Sequence, residues 1–286
     1  MKKTIFLTTV ILFLTVFSLA SEPVMPSIET VLGSDLVLVE GGTFQMGDTW
    51  DEGETDEKPV HEVTLTYDFY IGKYEVTFEE YDEYCEDTGK SKPDDEGWKR
   101  GQHPVINVSW WDAIDYCNWL SEQEGLPKAY DEDGNLLDKD GNETINITEV
   151  KGYRLPTEAE WEFAAGGGNE SKGYKYAGSN DLNEVAWYDD NSGGHSHEVG
   201  TKKPNELGIY DMSGNLWEWC QDGYDDDYYA ISPDTNPYNH KTVWLRVLRG
   251  GSWSSDVRRE RIANRGIDSP GGTGDNGAFR VCRTAY

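Results

Sequence analysis

The sequence predicts an α+β fold with little regular secondary structure, on three observations. Short runs in the first quarter of the chain alternate apolar and polar residues at the period of a strand. Three later segments carry helix-capping signals ahead of apolar residues at helical spacing. Beyond them the pattern turns irregular, and the chain holds 31 Gly, 11 Trp and 17 Tyr among 286 residues. Rings in that number imply a core of large aromatics held by loops, not a leucine-filled helix bundle.

Taken in order, Met1-Lys2-Lys3 and an apolar run from Ile5 to Leu19, with Ser18-Leu19-Ala20 at its end, read as a secretory signal over residues 1–20. The run is short for a bilayer span. The expectation is a periplasmic or secreted protein with no membrane attachment after cleavage. Residues 21–34 read as a flexible lead. Residues 35–286 read as one domain, since no tandem repeat or Pro/Ser-rich linker divides them.

Leu36 to Val39 is a strand candidate, closed by Glu40-Gly41-Gly42 and continued by Thr43 to Gly47. His61 to Leu65 is another, and Tyr67, Phe69 and Ile71 continue its alternation. Thr77-Phe78-Glu79-Glu80 is a capping box with Phe78, Tyr81, Tyr84 and Cys85 on one face. Ser109 starts a second helix with Trp110, Ile114, Cys117 and Leu120 at helical spacing. Thr157-Glu158-Ala159-Glu160 is a second capping box, and Gly166-Gly167-Gly168 ends that helix. Between them, Asp131 to Asn142 holds two Asp-rich Gly-Asn units. They lack the order of a calcium-binding loop and read as two turns of an exposed β-excursion.

The formal net charge is −29. Such a chain repels phosphate backbones and anionic lipid, which excludes nucleic acid and membrane surfaces as partners. It is compatible with calcium or a basic partner. Four cysteines, Cys85, Cys117, Cys220 and Cys282, permit disulfides in an exported chain, with the pairing open. His195-Ser196-His197 has no third ligand in the sequence and reads as an exposed loop. The cluster Arg258, Arg259, Arg261 and Arg265 is expected to pair with nearby carboxylates.

Two segments concentrate unusual chemistry: Gly208 to Cys220 and Arg249 to Trp253. Trp217-Glu218-Trp219 sets a carboxylate between two rings beside the Ser213-Gly214-Asn215 turn. Gly250-Gly251 lets the backbone approach a neighbour closely. A ligand or metal site is expected where these segments meet, with Trp217, Trp253, Arg249 and Ser252 as candidate groove residues.

The phrases G-G-T-F-Q-M-G-D (Gly41 to Asp48), G-Y-R-L-P-T-E-A-E-W-E-F-A-A (Gly152 to Ala165), G-N-L-W-E-W (Gly214 to Trp219), R-G-G-S-W (Arg249 to Trp253) and G-A-F-R-V-C (Gly277 to Cys282) occur in this order. Together they closely resemble the formylglycine-generating enzyme, or sulfatase-modifying factor, family over residues 35–286. The resemblance implies that family's fold, a C-type lectin-like variant. It also implies a copper-dependent oxidase, whose two cysteines follow R-G-G-S at C-x4-C spacing. Here those two positions are Ser255 and Glu260. A hydroxyl and a carboxylate are hard donors and cannot replace a pair of copper-binding thiolates. The expectation is therefore a binding or accessory protein for a peptide or glycan. The alternative is a formylglycine-generating oxidase acting on a sulfatase cysteine. The resemblance further implies calcium held by the side chains of Asp211 and Glu218 and the carbonyls of Gly214 and Leu216, and a Cys117–Cys282 disulfide. Cys85 and Cys220 are read as small buried apolar residues.

Overall fold

The computed structural model describes residues 27–241 and 244–286, so the expected signal over residues 1–20 lies outside them. The elements in chain order are β1 (Ser27–Glu29), β2 (Asp35–Val39), β3 (Gly42–Met46), β4 (His61–Leu65), β5 (Phe69–Gly72), α1 (Phe78–Thr88), α2 (Trp110–Gln123), α3 (Glu158–Ala165), α4 (Leu182–Val185), β6 (Trp217–Gly223), β7 (Arg246–Arg249), β8 (Arg265–Asp268), β9 (Gly277–Ala278) and β10 (Cys282–Thr284). All are short, and long irregular connections carry much of the chain, as the glycine and asparagine content implies.

Two four-stranded sheets frame the domain, in the orders β1-β2-β5-β10 and β8-β7-β6-β9, with a separate β3-β4 hairpin. The C-terminal β10 pairs with β5, Cys282 opposite Ile71, which ties the two ends of the chain together. Part of the lead expected to be flexible is instead β1, antiparallel to β2 with Ser27 opposite Val37. Its Ile28, and Leu32 after it, pack against the core, which is what orders the segment.

The helix starts follow their caps. The Thr77 side chain accepts from the Glu80 amide while Glu80 accepts from the Thr77 amide, and the same reciprocal bonds join Ser109 with Asp112 and Thr157 with Glu160. Each cap satisfies amides that would otherwise be orphaned, worth about 1 kcal/mol. In α1 the buried residues are Phe78, Tyr81, Tyr84 and Cys85. Tyr81 and Tyr84 meet Tyr116 of α2 at 5.7 and 5.6 Å between ring centres, and Phe279 lies 5.4 Å from Tyr116. The aromatic core is real. The Asp131 to Asn142 excursion forms two turns in which Asp131 Oδ1 accepts from the amides of Asp133 and Asn135, and Asp138 Oδ1 from those of Asp140 and Asn142.

Helix α3 is buried at every position, including Glu158, Glu160 and Glu162. Each carboxylate meets an arginine from elsewhere in the chain. Arg154 holds both oxygens of Glu160 at 2.7 Å. Arg265 holds both oxygens of Glu158 at 2.7 and 2.9 Å. Arg249 bridges Glu158 at 2.6 Å and Glu162 at 2.5 Å. Paired geometry of this kind lets charge sit inside the protein. It also binds α3 to the neighbouring strands β7 and β8 of one sheet.

Candidate functional site

The two segments singled out in the sequence do meet. The Gly214 amide donates to the Gly250 carbonyl at 2.8 Å and the Trp253 amide to the Asn215 carbonyl at 2.7 Å. Gly250 and Gly251 have φ of 98° and 78°, a region that favours glycine. At Gly251 a Cβ would stand 2.5 Å from the Glu260 carboxyl carbon. The close approach permitted there is thus to a side chain of the same domain.

Ser255 and Glu260, at the positions where the family carries its thiols, converge on Ser252. Ser252 and Ser255 share a hydroxyl–hydroxyl hydrogen bond of 3.0 Å. The Ser252 amide donates to Glu260 Oε1 at 3.3 Å. Glu260 Oε2 has no partner, and the side chain is fully buried. Burial, with repulsion from Asp189 and Asp256, pushes its carboxyl well above the usual range. None of the cysteines stands at these positions: Cys85, Cys117, Cys220 and Cys282 lie on α1, α2, β6 and β10, all buried and unlinked. The donors do not fit a dithiolate copper centre.

Beside this cluster a pocket of about 470 Å³ is lined by Trp98, His103, Trp187, His195, His197 and Glu198. Trp253 packs against Trp98, its ring edge-on with centroids 5.3 Å apart. His197 stacks on Trp187 at 3.8 Å, and His195 lies 4.7 Å from His197. The loop expected to be exposed at His195 to His197 is therefore a half-buried wall of the groove. Asn215 fixes it, its side-chain oxygen accepting the His197 amide and its side-chain nitrogen donating to Glu75. The sequence gives no hint of this, because Trp98, Trp187 and the two histidines lie on separate irregular loops. Burial pushes the pKa values of His103 and His197 down, favouring neutral rings. Tryptophan faces beside imidazoles suit stacking and hydrogen bonding.

Two of the candidate groove residues belong elsewhere. Arg249 is fully buried in its pairs with Glu158 and Glu162, and Trp217 lies in the core against Gly266. Both sit on strands whose residues are buried on both faces, so strand alternation does not bring them to the surface. Ser252 is fully buried, and Trp253 reaches the groove only by packing against Trp98.

The calcium residues are also differently engaged. Glu218 Oε2 accepts from the Trp161 indole at 2.8 Å and from Arg280 Nε at 2.6 Å, and Oε1 accepts from Arg280 Nη2 at 2.5 Å. Asp211 Oδ2 accepts the Gly200 amide at 2.7 Å. Both oxygens of Glu218 are thus taken up by Arg280, which neutralises the carboxylate and leaves it poorly suited to calcium in this arrangement. Among the described residues, no group of three His, Cys, Asp or Glu is placed to hold a metal ion. Glu75 completes the cluster, facing Asp211 and Glu218 with one arginine among three carboxyls. Burial and mutual repulsion push Glu75 well up and Asp211 to about 6.

The Cys117–Cys282 disulfide is not formed. Cys282 Sγ is turned to Glu160 Oε2 at 3.8 Å, and both thiols are pushed up by burial. Of the basic cluster, Arg261 pairs with Glu57, Arg265 with Glu158 and Arg258 with Asp256, as expected for an acidic chain.

Fold and site together define a lectin-like α+β domain whose two-residue centre carries oxygen donors in place of thiols. Residues 22–285 match the sulfatase-modifying factor enzyme 1-like domain, and the chain belongs to that family. It is 39% identical to the chaperone protein LppX of Paenibacillus barcinonensis, over 89% of this chain and 91% of that one. It is 29% identical to the formylglycine-generating enzyme of Streptomyces coelicolor, over 87% of this chain and 89% of that protein. Among solved structures, Treponema denticola variable protein 1 superposes with a TM-score of 0.71 at 31% identity, covering 92% of this chain and all of that chain.

Proposed function

We propose that this is an exported, periplasmic or secreted, binding or accessory protein that takes a peptide or glycan into the groove lined by Trp98 and Trp187, with Trp253 packed against Trp98. The observation that carries the reading is the replacement of the family's thiol pair by Ser255 and a buried Glu260, whose carboxyl is pushed well above the usual range by burial. The oxidase chemistry depends on those sulfurs, and hydroxyl and carboxylic acid groups supply hydrogen bonds instead. The groove beside them supports binding, since aromatic faces stack on sugar rings and peptide side chains. A relative named as a chaperone and sharing nearly the full length favours a polypeptide ligand over a glycan.

The test is titration of the full chain with an array of unfolded peptides and oligosaccharides, repeated with Trp187→Ala and Trp253→Ala. Saturable binding that weakens about tenfold or more in both variants is expected for stacked aromatic anchors. Binding unchanged in both variants would remove the groove from the proposal. Conversion of a C-x-P-x-R peptide thiol to an aldehyde with copper and dioxygen, followed by mass spectrometry, would overturn it in favour of the oxidase.

A further inference from the structure

Five buried arginines of this acidic chain sit against carboxylates. Arg154, Arg249, Arg261, Arg265 and Arg280 are each at most 7% exposed and within 2.7 Å of a glutamate oxygen. Arg246 is 5% exposed and has no acidic partner among the described residues. Its guanidinium lies over the Trp110 ring at 3.8 Å, and Nη1 donates to the Gln221 carbonyl at 2.9 Å. Its Nε has no acceptor. The Nε atoms of Arg154, Arg249 and Arg261 also lack one, but those charges are neutralised through their other nitrogens. Residues 242 and 243 are threonine and valine, so neither supplies an acid.

An unneutralised buried cation is costly, and burial already pushes the pKa of Arg246 down. It nonetheless faces a pocket of about 390 Å³ whose other walls include Asn135, Thr144, Ile145, Tyr238 and His240. Asp133 and Glu143 also line this pocket, yet neither pairs with Arg246. The pocket shares no lining residue with the tryptophan groove.

A planar carboxylate matches the edge of a guanidinium with two parallel hydrogen bonds and carries the single charge that one arginine neutralises. A phosphate dianion would bring a second charge against Asp133, Glu143 and a chain of net charge −29. Leu136, Ile145 and Tyr238 offer apolar surface beside the cation. We propose that this pocket binds one carboxylate carried on a small apolar body, a peptide C-terminus or a free organic acid, through Arg246.

Isothermal titration calorimetry on the full chain tests it, with 3-phenylpropanoate, acetyl-Gly-Phe as free acid and as amide, and inorganic phosphate as probes. Saturable binding of at least one carboxylate is expected. The amide and phosphate should bind about tenfold more weakly, and Arg246→Met should lose about tenfold or more. Preference for the peptide acid or for 3-phenylpropanoate tells which source the pocket suits. Absence of saturable binding by both acids, an amide equal to its acid, phosphate tighter than either acid, or undiminished binding in Arg246→Met overturns the proposal. Should circular dichroism show Arg246→Met unfolded, Arg246→Lys decides, since it keeps the charge but not the planar fork. Unchanged affinity in that variant is equally fatal.

Discussion

Each of the three buried glutamates of α3 meets an arginine, whereas Glu260 in the Ser252 cluster meets none. Glu158, Glu160 and Glu162 enter the interior against Arg265, Arg154 and Arg249, and burial is offset by paired hydrogen bonds. Glu260 enters it with a single long bond from the Ser252 amide and one oxygen unpartnered. Glu158 and Glu160 are held below their ordinary pKa by their arginines, while burial holds Glu260 well above it. The difference separates scaffold from site. Charges that serve the fold come with partners, and a group left without one marks a place where stability was not the only constraint.

The largest test of this contrast removes a partner from the matched region. Glu160→Gln leaves Arg154 fully buried with no carboxylate, and urea denaturation should show a loss of about 3–5 kcal/mol. The corresponding change in the unmatched region, Glu260→Gln, removes no cation's partner and should not destabilise at neutral pH. A comparable loss in both variants would erase the distinction.

Next in size is the pH dependence. Glu75, Asp211, Asp222 and Glu260 have folded pKa values raised above their unfolded ones, Asp211 to about 6 and Asp222 to about 7. The folded chain holds those protons more tightly, so stability falls as pH climbs from about 4 to 7, by up to about 1.4 kcal/mol per pH unit for each group in its window. Glu57, Glu158 and Glu160 are shifted down, so their contribution is present above about pH 4.3 and is lost as pH falls through their depressed values. The melting temperature should therefore peak at about pH 4 and decline on both sides, and Glu260→Gln should flatten the alkaline side. A flat profile from pH 5 to 8 in the parent chain would contradict the buried acids.

Smaller effects follow. The four thiols are at most 2% exposed and unlinked, so a thiol reagent should label them at the rate of unfolding and not before. Reducing agent should leave the melting temperature unchanged, and a drop would restore the Cys117–Cys282 disulfide. Smallest of all, Arg258→Ala breaks only an exposed pair with Asp256 and should leave the denaturation midpoint unmoved.

Local signals made much of the fold legible. The capping boxes at Thr77 and Thr157 name their helix starts, and the alternation from His61 to Leu65 gives β4, because hydrogen bonds and side-chain period within a few residues decide both. The contact between Gly214 and Gly250 was legible as an expectation because two glycine-bearing turns in one chain need neighbours at close range. The roles of Arg249 and Glu218 were not, since an arginine or glutamate reads alike whether its partner is a ligand or a residue far along the chain. Only the folded chain brings Arg280 onto Glu218, or Trp98, Trp187 and His197 into one groove.

By itself, then, the sequence determined the family, the helix starts, the aromatic core and the absence of a thiol pair at Ser255 and Glu260, all properties of residue identity and short spacing. Tertiary structure decided which buried charges are neutralised, that Cys117 and Cys282 stay apart, and where the groove lies. Those depend on distances between residues remote in sequence, and in a chain of short elements and irregular loops no local period encodes them.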